Sequence, residues 1–386
     1  MNVVKVVSVQ GHGSGGHFYS VLHIASALHS ASILVDVYSI GVAPSPILQG
    51  TSLYRGHYDV SFSGLLKFYK VISNRPDAVL HAYDIDSYNI LKTIFPRRGV
   101  VLTKCGGRVT KSIPLVKDII FFSGEDKVAY QTEFPNASAI VLPNRVNEKL
   151  LATPNMQGAE ATLPEAISGF KILRICRLNA KYEDSITSGI RLLEALHDRG
   201  LAHVSLTIIG IIEDSAVQKK IVSTIPEKIK SNVHWLTSEE FTESAVRFIP
   251  MFDLILATGR GVMEACMHSK PVLLACKGQL PILLTEQNFS VAGYFNFSER
   301  YKFASSDVSE IEALIGDTQK AAELQSFSRR MYDEWFDISR VTPVYENLYS
   351  SLLENQSSAP AINHAVANLV LLVRSWFRFI RARFRQ

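Results

Sequence analysis

Short, continuous apolar runs separated by amphipathic stretches set the rhythm of this chain. VVKVVSVQ (3–10), ILVDVYSI (33–40), AVLHA (78–82), GVVLT (99–103), DIIFF (118–122) and AIVL (139–142) are rich in valine and isoleucine, the pattern of parallel strands covered on both faces. Between the first two, Phe18, Val21, Leu22, Ala25 and Leu28 recur at helical spacing, so the chain opens as a βαβ unit. A second series follows: FKILRIC (170–176), a helix over Ser185 to Arg199, VSLTIIG (204–210), a helix after Asp214, a short strand at Asn232 to Leu236, a helix near Glu239 to Ile249, then LILA (254–257) and VLLAC (272–276). LATPNMQGAEATLPEAISG (151–169) carries prolines, glycines and small polar residues without a period and reads as a linker. The pattern predicts an α/β fold of two Rossmann-like parallel-sheet domains facing a cleft, 1–150 and 170–335.

Candidate chemistry gathers at the ends of these runs, where parallel sheets bind their ligands. GHGSGGH follows the first strand, and Gly11, Gly13 and Gly16 satisfy GxGxxG. Asp36 stands about where a dinucleotide fold places its ribose acid, but inside the second strand rather than at its end. The readings are a nicotinamide site, a phosphate or sugar contact at Gly15 and Gly16, or a structural tight turn. His81 with Asp84 and then Lys104 in TKCGG are candidate catalytic groups at strand ends, whereas SGED (123–126) is better read as a helix cap. Asp84-Ile-Asp86 offers a carboxylate pair for a divalent cation, or a cap for the next helix. In the second half, ICRLNAKYEDS puts Arg177 and Lys181 just after a buried strand, two cations in reach of a diphosphate. DLILATGRGVMEACMHSKPVLLAC (253–276) reads as strand, glycine turn, helix and strand. Gly259 and Gly261 there let the backbone approach a ligand at a helix N-terminus, after Gly261, where free N–H groups favour an anion. Glu264 follows in the first turn as an acceptor for hydroxyls.

Composition narrows the classes. The chain has 386 residues, 47% of them hydrophobic, enough for two ordinary cores. Its net charge of +4 becomes −1 once the five arginines after Ala361 are set aside, so the body is neutral and only the tail is basic. Cys105, Cys176, Cys266 and Cys276 are far apart and without metal-ligand spacing, as expected of reduced core thiols in a cytosolic protein. The N-terminus runs straight into a glycine turn without the apolar region of a signal peptide, and no export is expected.

In the tail, Arg374, Arg378, Arg381 and Arg385 project to one side of a helix, and Leu369, Leu372, Val373, Trp376, Phe377, Ile380 and Phe384 to the other, with only Arg383 misplaced. The apolar run is too short to span a bilayer, and a basic amphipathic helix of this kind suits an anionic membrane surface, with Arg374, Trp376, Phe377, Arg378 and Arg381 as contacts. A terminal helix docked on protein is the alternative. Nucleic acid is not expected as a partner, since the arginines have no second basic patch beside them.

Several of these segments together resemble the retaining GT-B glycosyltransferases of family 4. RLNAK (177–181) stands where those enzymes carry an Arg and a Lys, LTIIG (206–210) is similar to their mid-domain strand, GSGGH (13–17) to their glycine loop, and GRGVMEACMHSKPVLL (259–274) to their GxxxLEAMACGKPVV segment. The resemblance covers about Val3 to Leu353. It implies a hexosyl- or N-acetylhexosaminyltransferase acting with retention. The donor would be a nucleotide sugar, with Arg177, Lys181, Gly261, Gly15 and Gly16 on its diphosphate, and Glu264 with Arg260 toward its ribose or sugar. The loop from Leu236 to Glu240 would hold the base. Residues 336–356 would form helices crossing back to the first domain, and 361–386 the membrane-surface helix.

The chain departs from the family pattern at Leu256, where an acid is usual, at Arg260 in a shortened turn, and at Lys104 and Cys105, where many relatives have a histidine. The expected partners are a nucleotide sugar, a polysaccharide or lipid-linked saccharide acceptor (lipopolysaccharide or capsule), and the inner face of the plasma membrane. No metal or other cofactor is expected, because fixed cations take that role. The alternatives are an NAD-dependent oxidoreductase using GHGSGG and a degenerate relative that binds nucleotide sugar or acts as a scaffold.

Overall fold

A computed structural model describes residues 1–11, 13, 15–109, 113–151, 162–301, 303 and 308–354. The chain forms two compact units: residues 1–147 with the described residues from Ile338 onward, and residues 148–337.

The first unit is built on seven strands: β1 (Asn2–Val9), β2 (Leu34–Gly41), β3 (Tyr54–Tyr58), β4 (Val79–Ala82), β5 (Val100–Lys104), β6 (Asp118–Phe121) and β7 (Ser138–Val141). They lie in the order β3-β2-β1-β4-β5-β6-β7, and every neighbouring pair is parallel. The apolar runs became strands because helices cover both faces, so alternation with polar residues has no place in them. The exception is β3. Its sequence YRGHY lacks an apolar run and is only partly buried, so periodicity does not find it; it is an edge strand, tied to β2 by Ser39 Oγ with Tyr54 Oη at 2.7 Å and His57 Nδ1 at 2.9 Å.

The second unit has β8 (Phe170–Ile175), β9 (Val204–Ile209), β10 (Val233–Leu236), β11 (Leu254–Ala257), β12 (Val272–Leu274) and β13 (Ile282–Leu283), in the order β10-β9-β8-β11-β12-β13. The sheet is parallel except for β13, which pairs antiparallel with β12 and is too short to leave a sequence pattern. The helix expected near Glu239 to Ile249 is instead a short helix, Glu239–Thr242, and a 3₁₀ stretch, Ala245–Met251, that contains Pro250. Proline has no N–H to give and crowds the preceding turn, so a regular helix does not continue there.

In both sheets the order reverses once, between β1 and β4 and between β8 and β11. At such a point the two flanking connections leave in opposite directions and open a crevice beyond the strand C-termini. The core of the second unit explains one departure from the family pattern. Leu256 is 1% exposed in β11 and packs with Leu206 in the core below the helix Glu183–Asp198; a Cβ on Gly189 of that helix would meet Leu256 Cδ2 at 2.7 Å. Position 256 is thus filled by an apolar side chain in the core, beside the buried Arg174 that is its register partner on β8.

Candidate functional site

The predicted residues of the second unit converge on its reversal point. β8 delivers Arg177 and Lys181, and β11 delivers the turn ending in the helix Arg260–Met267. That helix starts at Arg260, one residue before Gly261, because Gly259 is its N-cap with φ +53° and ψ −121°. Only glycine adopts that conformation without strain. Gly259 also donates its N–H to Phe297 O at 2.8 Å. Gly210 has a different reason to be glycine: a Cβ there would lie 1.7 Å from Cys176 O, so the exit of β9 closes on the exit of β8 only without a side chain.

The cations are organised by an aromatic ring. Arg174, Arg177 and Lys181 lie 5.9, 5.8 and 5.3 Å from the ring centre of Tyr182, an arrangement that holds three positive charges near one aromatic ring. Lys181 is exposed. Arg177 is half-exposed and bonded through Nη1 to Glu213 Oε1 at 3.0 Å. Burial works against its charge, but contacts with Tyr182 and Glu213 outweigh that and hold the guanidinium above its ordinary value.

Arg174 was not singled out by sequence. It is 2% exposed and donates to neutral groups: Ser185 Oγ at 2.9 Å, Leu256 O at 3.3 Å and Thr258 Oγ1 at 3.5 Å. A lone cation inside an apolar strand was the signal that could have found it, since such a charge must be satisfied or used.

Glu264 and Arg260 form a pair on one helix face, with Arg260 Nε donating to Glu264 Oε1 at 2.6 Å and side chains 12% and 16% exposed. The arginine of the shortened turn therefore orients the carboxylate behind it. Opposite β11, the turn Asn296–Phe297 is left-handed at both residues, φ +52° and +51°. For non-glycine residues this costs about 1 to 3 kcal/mol each, and the buried Phe297 ring, tilted against Phe289 and edge-on to Phe336 with centroids 5.3 Å away in both cases, offsets it.

At the reversal point of the first unit the predicted residues are committed inward. His81 lies in the middle of the buried strand β4, not at an open end, with no exposed surface. Its Nδ1 meets Tyr349 Oη at 2.7 Å and its Nε2 meets Thr103 Oγ1 at 2.7 Å. Beside it Lys5, also fully buried, bonds Tyr83 Oη at 2.6 Å and Tyr349 Oη at 3.1 Å. Burial pulls both the imidazole and the ammonium well below their ordinary values, and it pushes the Tyr83, Tyr345, Tyr349 and Cys105 groups up. This is a neutral polar cluster that fastens the helix Thr342–Glu354 to the sheet.

Asp84 accepts Ser8 N at 2.7 Å and Ser87 N at 2.8 Å as N-cap of the helix Ile85–Ile94, which therefore begins before Tyr88. Asp86 accepts from Gln10 Nε2. The Asp84–Asp86 pair thus serves the backbone and a neighbouring amide, and among the described residues no group of three His, Cys, Asp or Glu side chains is placed to hold a metal ion. Lys104 turns back onto its own loop, donating to Gly107 O at 2.6 Å and to Gly106 O. Ser123 caps the helix Gly124–Glu133 by accepting Asp126 N at 3.1 Å.

Gly15 and Gly16 are the N-cap and first residue of the helix Gly16–Ser30, which has no acid in its first turn and no side-chain cap among the described residues. Asp36, the candidate ribose acid, is instead paired with Arg55 and Arg75. The cysteines are free thiols. Among the described residues no helix is long and apolar enough to cross a membrane, and the tail residues Arg374, Trp376, Phe377, Arg378 and Arg381 lie outside the described residues.

No protein-family model and no curated protein matches the chain. Solved structures do. Anabaena HepE in complex with UDP is similar with a TM-score of 0.66 and 14% identity, over 90% of this chain and 100% of HepE. Its complex with UDP-glucose gives 0.65 and 13%, over 90% and 99%. The pneumococcal O-GlcNAc transferase GtfA, in complex with UDP and GlcNAc, gives 0.62 and 8%, over 92% and 99%. At these identities the likeness establishes architecture: the chain has the α/β fold of GT-B glycosyltransferases.

Proposed function

We propose that this protein is a glycosyltransferase that moves a sugar from a nucleoside-diphosphate donor to a hydroxyl of a polysaccharide or lipid-linked saccharide. The observation that carries the reading is the cation cluster of the second unit. Arg174, Arg177 and Lys181 ring Tyr182 at the exit of β8, beside the Gly259-capped helix N-terminus that carries Glu264. When the glycosidic bond to the diphosphate breaks, negative charge grows on the leaving oxygen, and fixed cations with oriented N–H groups stabilise it without reorganising. In this reading Arg177, Lys181 and the turn at Gly261 bind the diphosphate. Glu264, held by Arg260, accepts the ribose hydroxyls. UDP and UDP-glucose bound in the structural neighbours agree with a donor of this class. Because the protein's own cations supply the counter-charge, the reaction is proposed to proceed without a metal.

The finer assignments belong to the same proposal: retention of configuration, a hexosyl or N-acetylhexosaminyl donor, a surface-polysaccharide precursor as acceptor, and a cytoplasmic enzyme held at the membrane by residues 361–386. The pairing of Asp36 with two arginines speaks against nicotinamide binding. The test is thermal shift of the full chain with UDP, GDP, CMP and NAD, followed by hydrolysis of the sugar conjugates of whichever nucleotide stabilises it. Stabilisation by a nucleoside diphosphate with turnover of its conjugate is expected. Stabilisation by NAD alone refutes the reading, and binding without turnover leaves a nucleotide-sugar-binding protein that is not an enzyme.

A further inference from the structure

The turn after the helix Glu286–Tyr294 was not picked out by any motif, yet two backbone bonds lay it across the site of the second unit. Phe297 O accepts Gly259 N at 2.8 Å, beyond the end of β11, and Glu299 O accepts Lys277 N at 2.8 Å, beyond the end of β12. The side chain of Glu299 reaches back toward β8. Its carboxylate is within electrostatic range of Arg174, Lys181 and Lys277, as well as Asp184, and its charge is felt by the thiols of Cys176 after β8 and Cys276 after β12. Since β11 lies between β8 and β12, Glu299 stands over the point where the strand order reverses.

Two of its features point to a ligand. Glu299 Oε2 and, three residues earlier, Asn296 Oδ1 are both buried and have no hydrogen-bond partner among the described residues. Buried acceptors in a folded protein are ordinarily satisfied, so a pair left open in one turn asks for donors from elsewhere. Moreover, despite the cations around it, Glu299 closes an ion pair with none of them among the described residues. A phosphate cannot be the missing partner, because a carboxylate repels it; hydroxyl groups can, since each offers a proton to an acceptor.

We infer that Glu299 and Asn296 form the sugar-recognising edge of this site, accepting hydrogen bonds from hydroxyls of the donor's sugar next to the diphosphate held by the cations. Glu299 thereby takes the place of the carboxylate that Leu256 cannot provide. The buried Phe297 ring and the two left-handed residues fix the turn before ligand arrives, which reduces the ordering cost of binding. This inference rests on the nucleotide-sugar reading proposed above.

The experiment measures binding of UDP and UDP-glucose, and of GDP and GDP-mannose, to the full chain and to its Glu299→Gln and Asn296→Gly variants. The glycine variant keeps the left-handed backbone and removes only the amide. Glu299→Gln is expected to bind the free nucleotide as the wild type does and the nucleotide sugar about tenfold more weakly, the scale of one charge-assisted hydrogen bond. Asn296→Gly should shift the same preference in the same direction by a smaller factor. Equal losses for nucleotide and nucleotide sugar would assign the turn to the nucleotide or to folding and overturn the inference, as would wild-type affinities in both variants. A wild type that binds no nucleotide would remove the donor reading itself, and this inference with it.

Discussion

Lys5 offers the sharpest quantitative test of the structure. It sits in β1 with its Nζ fully buried, 2.6 Å from Tyr83 Oη, 3.1 Å from Tyr349 Oη and 3.3 Å from His81 Nδ1. The rings of Tyr83, Tyr345 and Tyr349 surround it at 4.8, 5.6 and 5.7 Å. Thr103 and Cys105 complete the facing polar groups from β5 and its exit. Burial therefore favours the unprotonated amine of Lys5 in the folded protein, whereas in the unfolded chain it keeps its proton up to about pH 10.4.

Wherever the fold holds Lys5 unprotonated below that pH, folding releases its proton and stability rises with pH, by at most about 1.4 kcal/mol per unit. Lys5→Met replaces the side chain by an apolar one of similar length and abolishes this slope. As pH rises from 7 to 9 the wild type should gain stability relative to the variant. His81 does not contribute there: its folded value is depressed, so its linkage removes stability only as pH falls below the unfolded imidazole value of about 6.5. The tyrosines, with raised values, oppose folding only above about pH 10, where the unfolded chain ionises first. Hydrogen exchange of β1 and β4 peptides is the proper readout, because it reports on the unit that holds Lys5. Equal slopes for wild type and variant would mean that Lys5 stays charged, and the neutral cluster would be refuted.

Other outcomes test the site. Arg177→Ala and Lys181→Ala are each expected to lower turnover with a nucleotide-sugar donor at least about tenfold, the loss of one charge-assisted contact; normal turnover in both would sink the glycosyltransferase assignment. Gly259→Ala should destabilise the second unit by about 1 to 3 kcal/mol in denaturant titrations, because alanine is strained at φ +53°, and a neutral effect would show that the turn has another conformation. Deletion of residues 361–386 should abolish sedimentation with anionic liposomes while leaving activity on a soluble acceptor intact, and unchanged sedimentation would reject the membrane role of the tail.

The polar groups at the strand ends illustrate how far sequence reading extends. Arg177, Lys181, Gly259 and Glu264 were legible because strand, cation, glycine and acid follow each other at short spacing, and the parallel topology brings such ends together. His81 and Asp84 were equally visible, yet their partners come from distant positions: Tyr349, 268 residues beyond His81, and Ser8, 76 residues before Asp84. Spacing alone cannot separate a group that faces a ligand from one that completes a core. Asn296 and Glu299 carried no motif, and their interest arises only because Gly259 and Lys277 hold their turn across two strand ends.

By itself, then, the sequence determined the βα alternation, the strands buried on both faces and the glycine turn before Glu264, because these follow from hydrophobic period and local backbone sterics. Tertiary structure decided the strand order, and with it the two reversal points, through pairings between strands far apart in the chain. It also decided that Lys5 and His81 are interior, where burial disfavours their charged forms, while Arg174, Arg177 and Lys181 gather around Tyr182. Whether a charged group is solvated, satisfied or left open for a ligand depends on what the fold packs around it, and no interval along the chain encodes that.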